Sequence, residues 1–375
     1  MSTIGARAPN ANTTVSHHLP RLGVLDLLRL VAAVSVVLFH LTARDHSRWA
    51  AGLPHTVFPG LAAVSRYGYL GVHLFFAISG FVILLSAWGR PARALVASRV
   101  SRLFPAYWAA VLLTATLRWA WPGFDARTPG EVLVNLTMLQ DPLGVPRVDG
   151  VYWTLWVELQ FYVVVAVMAR IGLTAPRVVA LCAVAPAVTL VALQVPSVAR
   201  FASLTEWLPL FCAGMAVFVI RREGGRAVLW LVLVANTLTA AAVAATRTTS
   251  AIDAIASGPR TSPAVVAAGV VLVVGLVAAA ALVPQVSRVD ARWLTAAGLL
   301  TYPLYLTHEY VGWAVIDLLS PLTAAAVVLA AACAVCGGVA VALHRAAERP
   351  VQRRVRRWLE HGLRVGDGPP ARHAA

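Results

Sequence analysis

The chain has 375 residues, of which 59% are hydrophobic and only 13% are charged, with a formal net charge of +15. An ordinary soluble domain carries about twice that share of charged residues, so the composition excludes a soluble enzyme and indicates a polytopic membrane protein. The arginines lie mainly in short loops and near the C-terminus, where they indicate membrane topology rather than nucleic-acid binding.

Residues 1–21 are polar and contain no long apolar run, so we expect a disordered cytoplasmic tail without a cleavable signal peptide. Ten apolar segments follow, each of roughly the length that crosses a bilayer. They lie at about 22–42, 68–88, 103–121, 151–169, 177–195, 205–220, 227–245, 264–284, 293–318 and 322–344. The sequence therefore predicts an all-α polytopic membrane protein with about ten transmembrane helices. Its membrane domain covers 22–350, and 351–375 form a basic cytoplasmic tail.

Arginine counts in alternate loops predict the orientation. The loops at 89–102 and 221–226 and the C-terminal tail are rich in arginine, whereas the loop at 122–150 has four acidic residues against two arginines. The loop at 43–66 fits least well. The pattern predicts that both termini lie in the cytoplasm.

The first apolar segment carries Arg29 and His40, eleven positions apart. On a helix they share one face and are separated by about 16 Å along the axis. Ionisable residues on one stripe of a membrane helix indicate function, although both side chains could instead reach towards opposite membrane surfaces. Glu158 in the fourth segment and His308 in the ninth fall at a similar depth to His40, as a shared polar cavity would require.

Glu158 is the acidic residue within the fourth segment. A carboxylate beside a histidine can orient the imidazole and stabilise its protonated form. We therefore expect Glu158 to contact His40, with a purely structural link between helices as the alternative. Four cysteines, all in apolar segments, predict neither a disulfide framework nor a metal site.

Arg99 and Arg102 close the basic loop at 89–102 and open the third segment. Arginines three positions apart share a face, and helix N-termini favour anions. Together they would suit a phosphate-rich ligand at the cytoplasmic surface, although a topology signal explains them equally well. Pro303 is expected to break or kink the ninth segment.

These residues resemble the acyltransferase-3 family of integral membrane O-acyltransferases, which modify bacterial polysaccharides, glycolipids and macrolide sugars. The resemblance covers about residues 22–350. It rests on Arg29 and His40 with ten residues between them, Gly71–Phe81, Arg99 with Arg102, Trp153–Tyr162, Leu210–Met215, Tyr302–His308, and Glu348 with Pro350. The chain departs from the commoner pattern at His73, often Asp in the family, and at Pro303, more commonly Ser.

The resemblance implies that acyl-coenzyme A is a co-substrate, with acetyl-CoA as the expected donor, and that the protein has no tightly bound cofactor. His40 would be the general base, oriented by Glu158, and Arg29, Arg99 and Arg102 would bind the acyl donor. The acceptor cavity is expected to contain Trp153, Tyr162, Ser79, Tyr305 and His308. The acceptor would be a carbohydrate or glycosylated small molecule, acylated at or across the bacterial cell membrane.

A second hypothesis belongs to a different class of protein. A small-solute or lipid-linked sugar transporter could also use a charged stripe within the membrane as a solute path. The segments at 22–195 and 205–344 show no inverted repeat, which disfavours a transporter. Acyl-CoA-dependent labelling of an acceptor, compared with uptake into vesicles, distinguishes the two hypotheses.

Overall fold

The structure, a computed structural model, describes residues 22–195, 202–289, 291–352 and 354–355. Within these ranges the regular structure is entirely helical, as the sequence predicts. The predicted tail at 1–21 lies outside the described residues, and so does most of the predicted tail at 351–375. The described part of the chain contains ten long helices: α1 Gly23–Thr42, α2 Leu70–Ala87, α3 Ala92–Ala120, α4 Trp153–Ile171, α5 Ala175–Ala192, α6 Leu204–Glu223, α7 Ala227–Val243, α8 Pro263–Leu282, α9 Arg292–Leu319 and α10 Ala325–Leu343.

Short helical segments connect or extend these helices. The α-helical ones are Pro54–Val57, Pro59–Ser65, Pro129–Asn135, Thr249–Ile255 and Pro284–Ser287. The 3-10 turns are Arg66–Tyr69 and Gly150–Tyr152, and the π turns are Ala244–Thr248 and His344–Glu348. Several of these segments extend a long helix, so that Pro59–Ala87, Gly150–Ile171, Ala227–Ile255 and Ala325–Gln352 are each continuous helical runs.

In the described chain, nine of the ten long helices are long and apolar enough to cross a bilayer, and the exception is α9. Helix α9 has 28 residues, enough to span, but it is more polar because it carries His308, Glu309 and several tyrosines and threonines. Large apolar side chains such as Leu231 and Leu272 are exposed on the outer helix surfaces. Lipid can cover these surfaces, so the fold is an all-α polytopic membrane protein with about ten spanning helices.

Helix α3 begins earlier than the sequence predicts. It starts at Ala92, so Arg99 and Arg102 lie two turns or more inside the helix rather than at its N-terminus. The prediction of a basic loop over 89–102 was therefore wrong for most of that range, because the arginines obscured a continuous helical segment. Free N–H groups at the helix start cannot help these arginines to bind an anion, since such groups occupy only the first turn.

Helix α9 continues through Pro303, so the break expected there is not observed. The Thr307 hydroxyl donates a hydrogen bond to the Pro303 carbonyl oxygen, 3.0 Å away, within the same helix. Helix α9 packs against α1 on one side and α10 on the other. This packing places the polar face of α9 opposite the polar face of α1.

Helices α2 and α6 cross with almost no space between their backbones. A Cβ atom added to Gly80 would overlap the Phe211 carbonyl oxygen, and one added to Gly214 would overlap the Ala77 carbonyl oxygen. Small residues permit this approach between membrane helices. The contact fixes α2, which carries Ser79, against the centre of the molecule.

We expect Gly214→Ala to destabilise the protein by about 1–3 kcal/mol, because the added methyl group must separate two packed helices. Gly275→Ala is the matched control, since no atom lies within 4 Å of the position that its new Cβ would occupy. Thermal melting of the purified proteins in detergent measures the difference. Equal melting temperatures for the two variants would contradict the packing described for α2 and α6.

Candidate active site

His40 lies in the last turn of α1, and its two contacts fix which ring nitrogen carries a proton. Its Nδ1 atom is 2.8 Å from the Val36 carbonyl oxygen and 3.2 Å from Nε2 of His308. Nδ1 of His308 faces the carbonyl oxygens of Leu304 and Tyr305, at 3.2 and 2.9 Å. Since carbonyls only accept hydrogen bonds, neutral His308 carries its proton on Nδ1 and presents a lone pair at Nε2.

The lone pair of His308 and the carbonyl of Val36 both require a donor at Nδ1 of His40. Neutral His40 is therefore protonated at Nδ1, and its Nε2 atom is the basic nitrogen. Trp313 donates from its indole nitrogen to the His40 carbonyl oxygen over 3.2 Å, which further fixes the end of α1. His40 is 9% exposed, so a small part of its surface stays accessible.

A carboxylate faces the basic nitrogen of His40, and it belongs to Glu309. Its Oε2 atom lies 3.6 Å from Nε2 of His40, and its Oε1 atom accepts a hydrogen bond from Arg44 at 2.5 Å. The guanidinium of Arg44 also lies over the Trp313 ring, 5.2 Å from its centre. A separation of 3.6 Å is too long for a hydrogen bond. Nε2 of His40 and Oε2 of Glu309 can therefore both contact the same hydroxyl group of a bound ligand.

Glu158 is not the partner of His40, and the predicted contact was wrong in this respect. Its Oε1 atom accepts hydrogen bonds from the hydroxyls of Ser79, at 3.1 Å, and Tyr162, at 2.6 Å. Thr154, one turn earlier on the same face of α4, contacts the Tyr305 hydroxyl instead. Counting residues from segment ends gives depth to within a turn at best, and one turn is about 5.4 Å. It gives no lateral position at all.

The three arginines predicted to bind the donor do meet in one place. Arg29, Arg99 and Arg102 line a cavity of about 100 Å³ between helices α1–α4 and α9. The same cavity is lined by four further residues predicted for the site or its cavity: Ser79, Glu158, Tyr162 and Tyr305. A second cavity of about 320 Å³ shares Arg29, Arg102 and Tyr302 with the first and extends towards Glu348 and Gln352.

Charges around the first cavity favour an anion. Arg29 pairs with Asp26 at 3.2 Å, and the Arg99 guanidinium lies over the Tyr162 ring, 5.7 Å from its centre, and also contacts Ser86. Within the described chain, no hydrogen bond or ion pair holds the guanidinium of Arg102. Three guanidinium groups against two carboxylates leave a positive excess, which suits a phosphate-bearing ligand.

Tyr305 separates the cavity from the two histidines. Its hydroxyl is 2.9 Å from the Thr154 hydroxyl, and its ring centre is 5.9 Å from that of His308. One side of this tyrosine thus lines the cavity while the other contacts the histidine pair. Tyr305 therefore connects the arginine-lined cavity to the histidine pair.

Trp153 lies in a cluster of aromatic rings rather than among the residues that line the cavity. Its ring stacks on Tyr69, with centres 6.5 Å apart, and contacts Trp207 at 5.2 Å. Phe39 joins this cluster to His40, since its ring is 5.6 Å from that of Tyr69 and 5.0 Å from the imidazole. Through Phe39, the cluster forms an aromatic wall beside His40.

Two charged residues of the site, Arg44 and Glu309, were not among the predicted ones. Glu309 directly follows His308, and its position in an otherwise apolar helix is a signal that the sequence does contain. Arg44 lies just beyond α1, one turn after His40, and in the sequence it contributes only to the charge of the loop at 43–66. Spacing along one helix could have shown that Arg44 and His40 share a face.

One comparison with known proteins identifies the family. The family model Acyl_transf_3, described as an acyltransferase domain, matches residues 22–343. No curated protein and no solved structure gave a significant match to the chain. Because the matched range covers nearly the whole chain, including all ten long helices described above, the chain belongs to the Acyl_transf_3 family of acyltransferases.

Proposed function

We propose that the protein transfers an acyl group from acyl-coenzyme A, with acetyl-CoA as the proposed donor, to a hydroxyl of a sugar-containing acceptor. It would do so as a multi-pass protein of the bacterial cell membrane, with both termini in the cytoplasm. The observation that carries the proposal is the arrangement of His40. Its Nε2 atom faces Glu309, and its neighbour His308 contacts Tyr305, which lines the cavity that holds the three arginines.

The donor would enter from the end of the bundle that carries Glu348 and Gln352. Two overlapping cavities connect this end to Arg29, Arg99 and Arg102, which would hold the phosphates of coenzyme A. The distance of about 16 Å along α1 between Arg29 and His40 suits a long, flexible thioester arm. In this position the arm would extend past Tyr305 and carry the thioester carbonyl to the histidine.

The chemistry begins with a proton transfer to Nε2 of His40 from the acceptor hydroxyl. The hydroxyl oxygen attacks the thioester carbonyl carbon, and the tetrahedral intermediate collapses as the carbon–sulfur bond breaks. The thiolate of coenzyme A then takes the proton from the imidazolium. The products are the acylated acceptor and coenzyme A thiol, and His40 returns to its neutral form. General base catalysis of this kind typically contributes about 10²–10⁴ in rate.

Glu309 takes the role that the sequence assigned to Glu158. A negative charge 3.6 Å from Nε2 stabilises the imidazolium formed during the reaction, and Arg44 keeps this carboxylate in position. His308 supports the same step from the other side, because its lone pair holds the proton on Nδ1 of His40. Glu158 would instead hold Tyr162 and Ser79 at the donor cavity.

Radiolabelled acetyl-CoA, supplied to isolated membranes with a panel of hydroxyl-bearing sugars, tests the proposed reaction. We expect label in an acceptor together with release of an equal amount of coenzyme A thiol. Uptake of a labelled sugar into sealed vesicles, without thiol release, would favour the transporter hypothesis instead. Label without any requirement for the protein would contradict the proposal.

Arg102→Ala is expected to raise KM for acyl-CoA by about 10- to 100-fold with a smaller change in kcat, because a hydrogen bond to a charged group contributes about 1.5–3 kcal/mol. Steady-state kinetics at saturating acceptor measures this effect. Arg90→Ala is the matched control, since Arg90 is an exposed arginine in the short loop between α2 and α3. An unchanged KM in Arg102→Ala would leave the arginine as a topology signal.

A further inference from the structure

The loop before α4 brings a second carboxyl group to Glu309. Asp149 is fully buried, and its Oδ1 atom accepts a hydrogen bond from the Val151 backbone over 3.1 Å. The Asp149 and Glu309 side chains lie within hydrogen-bonding reach of each other. Gly150, the residue after Asp149, also lies close to Glu309, since an added Cβ there would lie 3.0 Å from both Glu309 oxygens.

One oxygen of each carboxyl group has no donor in the described chain. Oδ2 of Asp149 and Oε2 of Glu309 are both buried without a hydrogen-bond partner. Buried polar atoms are normally hydrogen-bonded, and two ionised carboxylates at this separation repel each other. A single proton between them removes both difficulties, because the protonated group then donates to the other.

Asp149 is held in place by side chains from two other elements. The backbone N–H of Val148 donates to Oδ1 of Asn135 over 2.9 Å, and the Val148 carbonyl accepts from Arg118 over 2.6 Å. Asn135 is itself fixed, because its amide donates to the Pro146 carbonyl over 3.0 Å. Three hydrogen bonds therefore hold the loop that delivers the aspartate to the site.

We propose that Asp149 and Glu309 share one proton, so that the pair carries a single negative charge. Asp149 is then a positioning residue that keeps the Glu309 carboxylate aimed at His40. The proposal rests on the acyl transfer proposed above. Arg44 already donates a hydrogen bond to Oε1 of Glu309, so we place the shared proton on Asp149, whose O–H donates to Oε2 of Glu309.

Burial and the neighbouring negative charge of Glu309 raise the pKa of Asp149 well above its usual range. A raised pKa favours the protonated form of the aspartate, which is the form that can donate to Glu309. The ionisable groups that face the pair from the surrounding elements are His40, Arg44 and His46 around the end of α1, Arg118 and Tyr107 on α3, Tyr152 before α4, and Tyr305, His308 and Tyr310 on α9.

The shared proton has a consequence for the base. With Asp149 neutral, Arg44 balances the single charge of Glu309, and His40 can stay neutral and accept a proton from the substrate. If the proton of Asp149 moved to His40 instead, Asp149 and Glu309 would both be ionised and Nε2 of His40 would have no lone pair. Asp149 thus protects the basic form of the histidine.

The variants Asp149→Asn and Asp149→Ala test this proposal. An asparagine amide can donate to Oε2 of Glu309 as the protonated aspartate does, so we expect transfer within about threefold of wild type at neutral pH. Asp149→Ala leaves a charged oxygen without its donor and should lower kcat by about tenfold or more. Asp149→Asn should also lose the decline in kcat with rising pH that we expect in the wild type, where ionisation of the aspartate removes its O–H donor to Oε2 of Glu309. Asp125→Asn, an exposed aspartate of the same loop, is the control.

A second measurement does not depend on activity. Infrared spectroscopy of the wild-type protein should show the C=O stretch of a buried, protonated carboxyl group at neutral pH, and the band should disappear in Asp149→Asn. Absence of this band from the wild type, or an Asp149→Asn variant as slow as Asp149→Ala, would overturn the shared proton. Absence of transfer by the wild type would instead overturn the proposed function.

Discussion

Replacing His40 by alanine is expected to lower the rate of acyl transfer by about 10²–10⁴, because the acceptor hydroxyl loses its base. The arginines that would bind the donor lie at the other end of α1, so KM for acyl-CoA should change little. His40 has few stabilising contacts besides His308 and the Val36 carbonyl. We therefore expect the variant to insert and fold. Initial rates of label transfer from acetyl-CoA measure the effect.

His55→Ala is the matched control for this experiment. His55 is a second largely buried histidine, with 23% of its side chain exposed, but it lies in a short helix outside the bundle. Normal transfer by His40→Ala would remove His40 from the mechanism. Loss of transfer accompanied by loss of folded protein would point to a structural role, which melting curves of both variants detect.

Glu309→Gln is expected to have the second-largest effect, with kcat lowered by about 10²-fold. Glutamine retains the shape of the side chain but has no charge to stabilise the imidazolium, and it also breaks the ion pair with Arg44. Removing one member of a buried, hydrogen-bonded charge pair typically costs about 3–5 kcal/mol. A part of this cost falls on folding, so kcat and the melting temperature should be measured together.

Glu158→Gln is the informative comparison for Glu309→Gln, because both remove a carboxylate from within the bundle. We expect Glu158→Gln to raise KM for acyl-CoA through Tyr162 and Ser79, while kcat falls less than in Glu309→Gln. A larger loss of kcat in Glu158→Gln would restore the pairing that the sequence suggested.

The fold was largely predictable from the sequence, because long apolar segments separated by short polar loops leave few alternatives in a membrane. The same reasoning identified His40, His308 and the arginines, since ionisable residues are conspicuous in apolar helices. It failed at α3, where the charge of Arg93, Arg99 and Arg102 suggested a loop although the segment is helical.

The catalytic partners could not be assigned from the sequence, because periodicity gives the face of one helix and not the helix that packs against it. Glu158 and Glu309 were both available at similar depth, and only the packing of α9 on α1 favours Glu309. The position of Asp149 at the site depends on tertiary contacts alone. It lies in a polar loop, and the hydrogen bonds of Asn135 and Arg118 bring it to the site.

A double-mutant cycle tests the proposed unit of His40 and Glu309 most directly. Residues that act as one unit show strongly non-additive losses, so Glu309→Gln combined with His40→Ala should be within about threefold of His40→Ala alone. The parallel cycle with Glu158→Gln and His40→Ala should give additive losses. The result that would contradict the account is the reverse: additive losses for Glu309 with His40, and strong coupling for Glu158 with His40.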